Sequence, residues 1–373
     1  MGLVGSRYLS TGILIAFSLL CLGQSVLFGA ALSYSGGTYT QDFNGLPNDA
    51  SNAVQVFGSV LEPNKGPIDF TGNVTGATNL DGWQLANPNG NNMTTEFRSQ
   101  DGSLGSSSGR GVISFGANGS SQRALGALST SAQVSSFGLV LTNNTSTTFT
   151  GFNLSFSGQH WRRGDVTTPD QLAFSFGVAN DIAGTLIPSS RFVFSGNQTS
   201  GYSSIGGTQV AVDGSDASHK LPVNNLVSGI KWAPGQNLVL RWNAQDITGQ
   251  DDGLAIDNLS FAATTTGVIA SRGDFDFDGK LTNGDIQGML NAIVDLASFQ
   301  AAAGLSDSEF KAMADFNASD AVTADDLPPF LQYLAGNGGS ASIAAVPEPG
   351  SIALFAFGVV LLCSQARCQR DRS

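Results

Sequence analysis

Oxygen-bearing side chains recur at loop positions 1, 3, 5, 9 and 12 in two stretches, DFDFDGKLTNGD from Asp274 to Asp285 and DFNASDAVTADD from Asp315 to Asp326. A hard divalent cation of calcium's size takes about six to eight oxygen ligands, and a twelve-residue loop supplies them from alternate side chains and one backbone carbonyl. The first loop offers Asp274, Asp276, Asp278, the carbonyl of Lys280, Thr282 and Asp285, with Gly279 at the sharp turn of position 6. The second offers Asp315, Asn317, Ser319, the carbonyl of Ala321, Thr323 and Asp326, with Asp320 where glycine is expected. The spacing therefore predicts two Ca2+ sites, the second weaker than the first.

Each loop needs an element to hold it. Ile286, Met289, Leu290 and Ile293 follow the first loop at helical spacing, and Leu327, Phe330, Leu331 and Leu334 follow the second. Two loop-helix units with matching apolar stripes can bury them together, which neither does alone. Between them Ser306 to Glu309 reads as a capping box opening a short helix that carries Phe310 and Met313. Pro328 and Pro329 fall in a first helical turn, where proline is tolerated.

These residues resemble a dockerin, the paired calcium-loop module that ties extracellular bacterial proteins to cohesin partners. The resemblance covers about 273–336 and includes aspartate at position 12 of both loops. It implies Ca2+ as the bound ion and a cohesin-like or other surface protein as partner. The repeats lie 41 residues apart (315 − 274), longer than is usual for that family.

Charge agrees with a cation site. Residues 273–336 carry eleven acidic and two basic residues, a net of −9 out of −12 for the chain, so the self-repelling module should fold or tighten on binding cations. A sequence pI near 4.4 without a basic stripe predicts no nucleic-acid partner.

The two ends read as addresses. Residues 1–31 contain Arg7, an apolar run from Ile13 to Leu22 and small residues at Gly29 and Ala31, the pattern of a secretory signal peptide. At the other end Val346, Pro347, Glu348 and Pro349 precede an apolar run from Ile352 to Cys363 and a terminus with Arg367, Arg370 and Arg372. Residues 346–373 resemble a PEP-CTERM sorting signal. That resemblance implies export by a Gram-negative bacterium, processing by an exosortase, and surface attachment or release. The apolar run of twelve falls short of the roughly 20 residues that span a bilayer, so a transient anchor is expected. All three cysteines (Cys21, Cys363, Cys368) lie in these end segments, leaving the body between them without a thiol or disulfide.

Residues 32–263 alternate in strand fashion. Phe152, Leu154 and Phe156 share one face, as do Leu172, Phe174, Phe176 and Val178, and Leu238, Leu240 and Trp242. Turn-rich spacers such as 101–111 and 196–207 separate such runs. The expected fold is therefore mainly β: an antiparallel jelly-roll sandwich followed by a small all-α calcium module, joined by the short polar linker 264–272 like beads on a string. A second spacer, 337–345, leads to the sorting tail. GSSQRALGAL (119–128), FSGQHWRRGD (156–165) and DDGLAIDNLSF (251–261) resemble the jelly-roll domain of uncharacterised exported bacterial proteins, and the last also resembles the closing strand of carbohydrate-binding sandwiches.

Three residues of the sandwich stand out as ligand candidates. Asp257 shares strand parity with Leu259 and Phe261, which puts a carboxylate on the apolar face, where it needs a partner such as Arg162, a sugar or a cation. Trp161 beside Arg162 could stack on a sugar ring, or could belong to the core. Catalysis has little to draw on, since His160 and His219 are the only histidines and neither sits in a nucleophile motif. The reading is a secreted or cell-surface, non-enzymatic binding and scaffold protein with polysaccharide as a ligand class. The alternatives are a polysaccharide-degrading enzyme delivered by its dockerin, and a purely structural matrix protein.

Overall fold

The computed structural model describes residues 31–48, 54–56, 67–86, 96–105, 110–130, 134–164, 169–202, 209–247 and 249–337. The expected signal peptide (but for Ala31) and the sorting segment, Val346, Pro347, Glu348 and Pro349 included, lie outside the described residues. Sixteen strands are present among those described: β1 (Leu32–Tyr34), β2 (Thr38–Gln41), β3 (Val54–Val56), β4 (Ile68–Asp69), β5 (Trp83–Ala86), β6 (Glu96–Gln100), β7 (Gly111–Phe115), β8 (Ala124–Leu128), β9 (Ser136–Asn143), β10 (Phe149–Arg163), β11 (Gln171–Val178), β12 (Ile187–Ser195), β13 (Val210–Ala211), β14 (Lys220–Trp232), β15 (Asn237–Ala244) and β16 (Gly253–Thr264). One sheet runs β12-β11-β15-β9-β5-β4 with β1 beside β9. The other runs β13-β10-β16-β8-β7-β6-β3, with β14 beside β10 and β2 beside β16. Pairing is antiparallel except for β1–β9 and β6–β7, so the jelly-roll sandwich is mixed at those two places.

The alternation read from the sequence sets the inner faces. Phe152, Leu154 and Phe156 of β10 meet Leu172, Phe174 and Phe176 of β11 and Leu238, Leu240 and Trp242 of β15 in one buried cluster. Aromatic contacts run across it: Trp242 packs edge-on against Phe156 at 5.7 Å and stacks on Phe137 at 5.9 Å. The outer face of β9 and β15 is also covered. Val140 and Val239 are buried under Ile182 and Leu186 of the loop before β12, which is why these strands read as nearly continuous apolar runs.

Among the described residues the C-terminal segment folds into four α-helices: α1 (Gly284–Val294), α2 (Leu296–Ala303), α3 (Asp307–Ala314) and α4 (Leu327–Gly336). The Ser306 hydroxyl accepts from the Glu309 amide while the Glu309 carboxylate accepts from the Ser306 amide, which makes the capping box at the start of α3. Pro328 and Pro329 occupy the first turn of α4. Helix α2, which the apolar pattern alone did not separate from α1, takes up part of the long interval between the two loops.

The bead-like arrangement expected from the linker is not what forms. Module and sandwich share one continuous hydrophobic cluster, in which Phe277 lies edge-on to Phe176 at 6.1 Å and stacks on Phe299 at 5.9 Å. Gly304 ends α2 at φ 70°, and a β-carbon there would come within 2.1 Å of the Lys231 carbonyl, so only glycine permits this approach of helix to sheet. Lys231 also pairs with Glu309 at 2.9 Å across the same junction. The sandwich edge supplies part of the cover for the helices: Ala302 of α2 lies so close to Gly177 of β11 that a β-carbon on the glycine would come within 3.0 Å of it.

Candidate metal centre and binding cleft

The first loop is wound by its own carboxylates. Asp274 Oδ1 accepts from the Asp278 amide at 2.9 Å and Oδ2 from the Gly279 amide at 2.9 Å. Asp285, the first-turn acid of α1, accepts from the Asp276 amide at 3.2 Å and the Thr282 amide at 2.8 Å, which ties the far end of the loop to its start. Phe277 at position 4 and Gly279 at position 6 adopt left-handed backbone, φ 57° and 76°. The chain thereby curls so that oxygens of Asp274, Asp276 and Asp278 all lie within 4.8 Å of one another.

Three carboxylates held this close repel each other. Burial, followed by the charge of Asp285, pushes Asp274 up to about 8. Burial likewise raises Asp285 to about 7, and burial and the neighbouring Asp278 raise Asp276, an effect that Arg191 partly offsets. Hard anionic oxygens gathered in a half-buried turn are donors that suit a hard divalent cation. The residues fit the ion; its charge would relieve the repulsion that now favours protonation.

The second loop repeats the frame bond for bond. Asp315 accepts from the Ser319 and Asp320 amides at 3.1 and 2.9 Å. Asp326 accepts from the Asn317 amide at 3.0 Å and the Thr323 amide at 2.8 Å. Ala318 and Asp320 share the left-handed backbone of positions 4 and 6, φ 57° and 64°. Three substitutions change its chemistry. Asn317 and Ser319 replace two carboxylates, and the Ser319 hydroxyl donates to the Ala321 carbonyl at 3.0 Å, using two of the expected ligand atoms on each other. Asp320 takes an internal cation instead, Lys311 at 2.9 Å.

The ligand candidates of the sandwich are placed differently from the sequence expectation. Trp161 is buried: Phe115 stacks on its ring at 6.0 Å, and Gly214 lies so close to the indole that a β-carbon would come within 2.5 Å. With Phe115 and Gly214 against the ring no face is left for a sugar, and the indole nitrogen donates to Gln159 at 2.9 Å. Arg162 is buried too, donating to the Gly102 carbonyl at 3.0 Å. Burial lowers its pKa, against the opposing pull of Asp252, and Asp257 is not its partner.

Asp257 leaves the apolar face because of a bulge. Leu254 and Ile256 point inward, but so do Leu259 and Phe261, and the pairing with β10 jumps from Ser155–Ser260 to Ser157–Asp257. The extra residue is Asn258, at φ 50°, a conformation asparagine tolerates better than most. The Asp257 carboxylate instead accepts from Gln159 Nε2 at 2.9 Å and the Asn258 amide at 2.7 Å. Burial still raises it to about 6.

Two further features had no local signal in the sequence. Beside the bulge lies a cleft of about 550 Å³ lined by Tyr39, Gln41, Asp42, Asn79, Asp81 and Asn258, brought together from three distant segments. Tyr39 is fixed there, its hydroxyl accepting from Trp83 Nε1 at 2.9 Å. At the opposite end of β16, His160 is fully buried 3.7 Å from Asp252, whose other carboxylate contact is the Gly164 amide at 2.7 Å. Burial raises neighbouring Asp170 to about 8 and Asp251 to about 7. His160 and Asp252 lie in two distant segments, HWRR at 160–163 and DD at 251–252, which only the pairing of β10 with β16 joins.

The sequence matches no protein-family model and no curated protein. Among solved structures, the enzymatically active domain of bacteriophage CBA120 tailspike protein 4 is 13% identical over 38% of this chain, but only 16% of that chain is spanned, with a TM-score of 0.20. The K1 cleaved adhesin domain of Lys-gingipain from Porphyromonas gingivalis W83 is 11% identical, covering 61% of this chain and 99% of that one at a TM-score of 0.26. The CBM22-1 xylan-binding domain from Paenibacillus barcinonensis is 10% identical, covering 64% and 100% at a TM-score of 0.24. At such distances no activity or ligand transfers to the present chain.

Proposed function

We propose that this chain is an exported, non-enzymatic binding and scaffold protein whose C-terminal dockerin-like module is organised by calcium and whose sandwich binds polysaccharide. The observation that carries the reading is the convergence of Asp274, Asp276 and Asp278 in a loop whose backbone is already wound for an oxygen-ligated cation. In this reading Asp274, Asp276, Asp278, Asp285, the Thr282 hydroxyl and the Lys280 carbonyl hold the ion, which supplies charge compensation and rigidity. Secretion by a Gram-negative bacterium, exosortase processing and a cohesin-like partner belong to the same proposal, supported by the end segments and the paired loops of the sequence.

The ligand site proposed on the sandwich is the cleft beside Asn258, in place of Trp161. Its amides, carboxylates and one tyrosine suit the hydroxyls of a neutral glycan, and Asp42 and Asp81 disfavour an anionic one. Binding to an array of neutral and uronic-acid polysaccharides tests this. Retention on a neutral glycan, reduced at least tenfold by joint Asn79→Ala and Asp81→Ala changes and without release of reducing sugar, is the expected result. Turnover of the glycan would establish the enzyme instead, and an inert array the structural matrix protein.

A further inference from the structure

We infer that the sandwich is itself a partner of the first calcium loop, with Phe277 as the anchor and Arg191 as a positioning residue that makes metal affinity and sandwich stability interdependent. The inference rests on the calcium reading above and goes beyond it by assigning sandwich residues to the metal centre.

The loop backbone between two expected ligands, Asp276 and Asp278, is held from outside at both of its carbonyls. Arg191 of β12 donates through Nη2 to the Asp276 carbonyl at 3.0 Å and through Nη1 to the Leu226 carbonyl of β14 at 2.5 Å. One guanidinium thus joins the two sheets and the loop, and the backbone carbonyl of Arg191 accepts from Asn225 Nδ2 at 2.6 Å. The Phe277 carbonyl accepts from the Ser228 amide at 2.7 Å, a strand-edge donor of β14. The Phe277 side chain is buried against Phe176 and Phe299, in space left by Gly229, where a β-carbon would reach the ring at 3.2 Å.

The second loop serves as the internal comparison. Its position 4 is Ala318, with the same φ of 57° but exposed, and its Phe316 packs within the module on Phe330 and Tyr333. The two loops share a hydrogen-bonded frame, so the difference at position 4 is not required by the cation. It is explained by docking. A loop already ordered by the sandwich loses less freedom when it closes on an ion. Reciprocity then requires the ion to stabilise the docked state by the same factor.

The full chain provides the test, because all four tryptophans (Trp83, Trp161, Trp232 and Trp242) lie in strands of the sandwich and their fluorescence reports its unfolding alone. Calorimetric titration with calcium and tryptophan-detected melting, with calcium or chelator, are compared for the wild type, Phe277→Ala, Arg191→Met and Arg191→Lys. A cation acting by charge alone would repel calcium, so Arg191→Met would bind it more tightly and Arg191→Lys equally. The clasp predicts weaker binding in all three variants, roughly 5- to 50-fold for Phe277→Ala and Arg191→Met. It also predicts that the calcium-induced rise in the tryptophan melt falls to less than half. Wild-type calcium binding with undiminished affinity and melting shift in the variants would overturn the clasp and leave the metal site standing. No calcium heat in the wild type would overturn both.

Discussion

Asp274 and Asp285 carry the strongest electrostatic strain of the first loop. Both are pushed by burial well above the ordinary carboxylate range, to about 8 and about 7. The folded, metal-free loop therefore keeps protons that the unfolded chain has released above a pKa of about 3.9. That contribution to stability is fully present at low pH and is lost as pH rises from about 4 through about 8, the reverse of ordinary acid denaturation. With chelator, the helical melt should fall between about pH 5.5 and pH 8, and saturating calcium should remove most of that slope. Calcium titration near pH 6 should release protons, seen as a heat that depends on the buffer. Helical circular dichroism is the appropriate probe, since Asp170 and Asp251 impose the same sign on the sandwich. A chelated melt that is flat or rising over this range contradicts the assignment.

Single elements show what could be read from sequence and what could not. The capping box of α3 and the prolines of α4 were legible because capping is a matter of residue type at fixed offsets within one turn. The inner faces of β10, β11 and β15 were legible from alternation. Asp257 was not, because parity holds only in an unbulged strand and the slip at Asn258 became visible only against β10. Trp161 likewise lost its sugar-facing reading to Gly214, 53 residues away in sequence (214 − 161). Gly304 tests the junction between elements. Substitution by alanine adds a β-carbon to a left-handed residue pressed on the Lys231 carbonyl, and should cost about 1–3 kcal/mol in chemical denaturation. Gly336→Ala, with open space around it, should cost far less if packing against the sandwich is the cause. Equal effects at both positions would mean that the helices do not depend on that contact.

At the scale of the whole molecule the helical module is a covering layer of the sandwich, and its two loops differ in chemistry. The first is rich in carboxylates and faces inward through Phe277; the second replaces carboxylates with Asn317 and Ser319 and carries its own ion pair. The sequence contained this asymmetry in the pairs Phe277/Ala318 and Gly279/Asp320, but its meaning depended on which face met the sandwich, and that is a long-range property. The most direct measurement is calorimetric calcium titration of the full chain beside Asp274→Ala and Asp315→Ala. Asp274→Ala is expected to abolish the tighter binding event, and Asp315→Ala to remove a weaker one or nothing. Identical heats in all three proteins would contradict the calcium assignment.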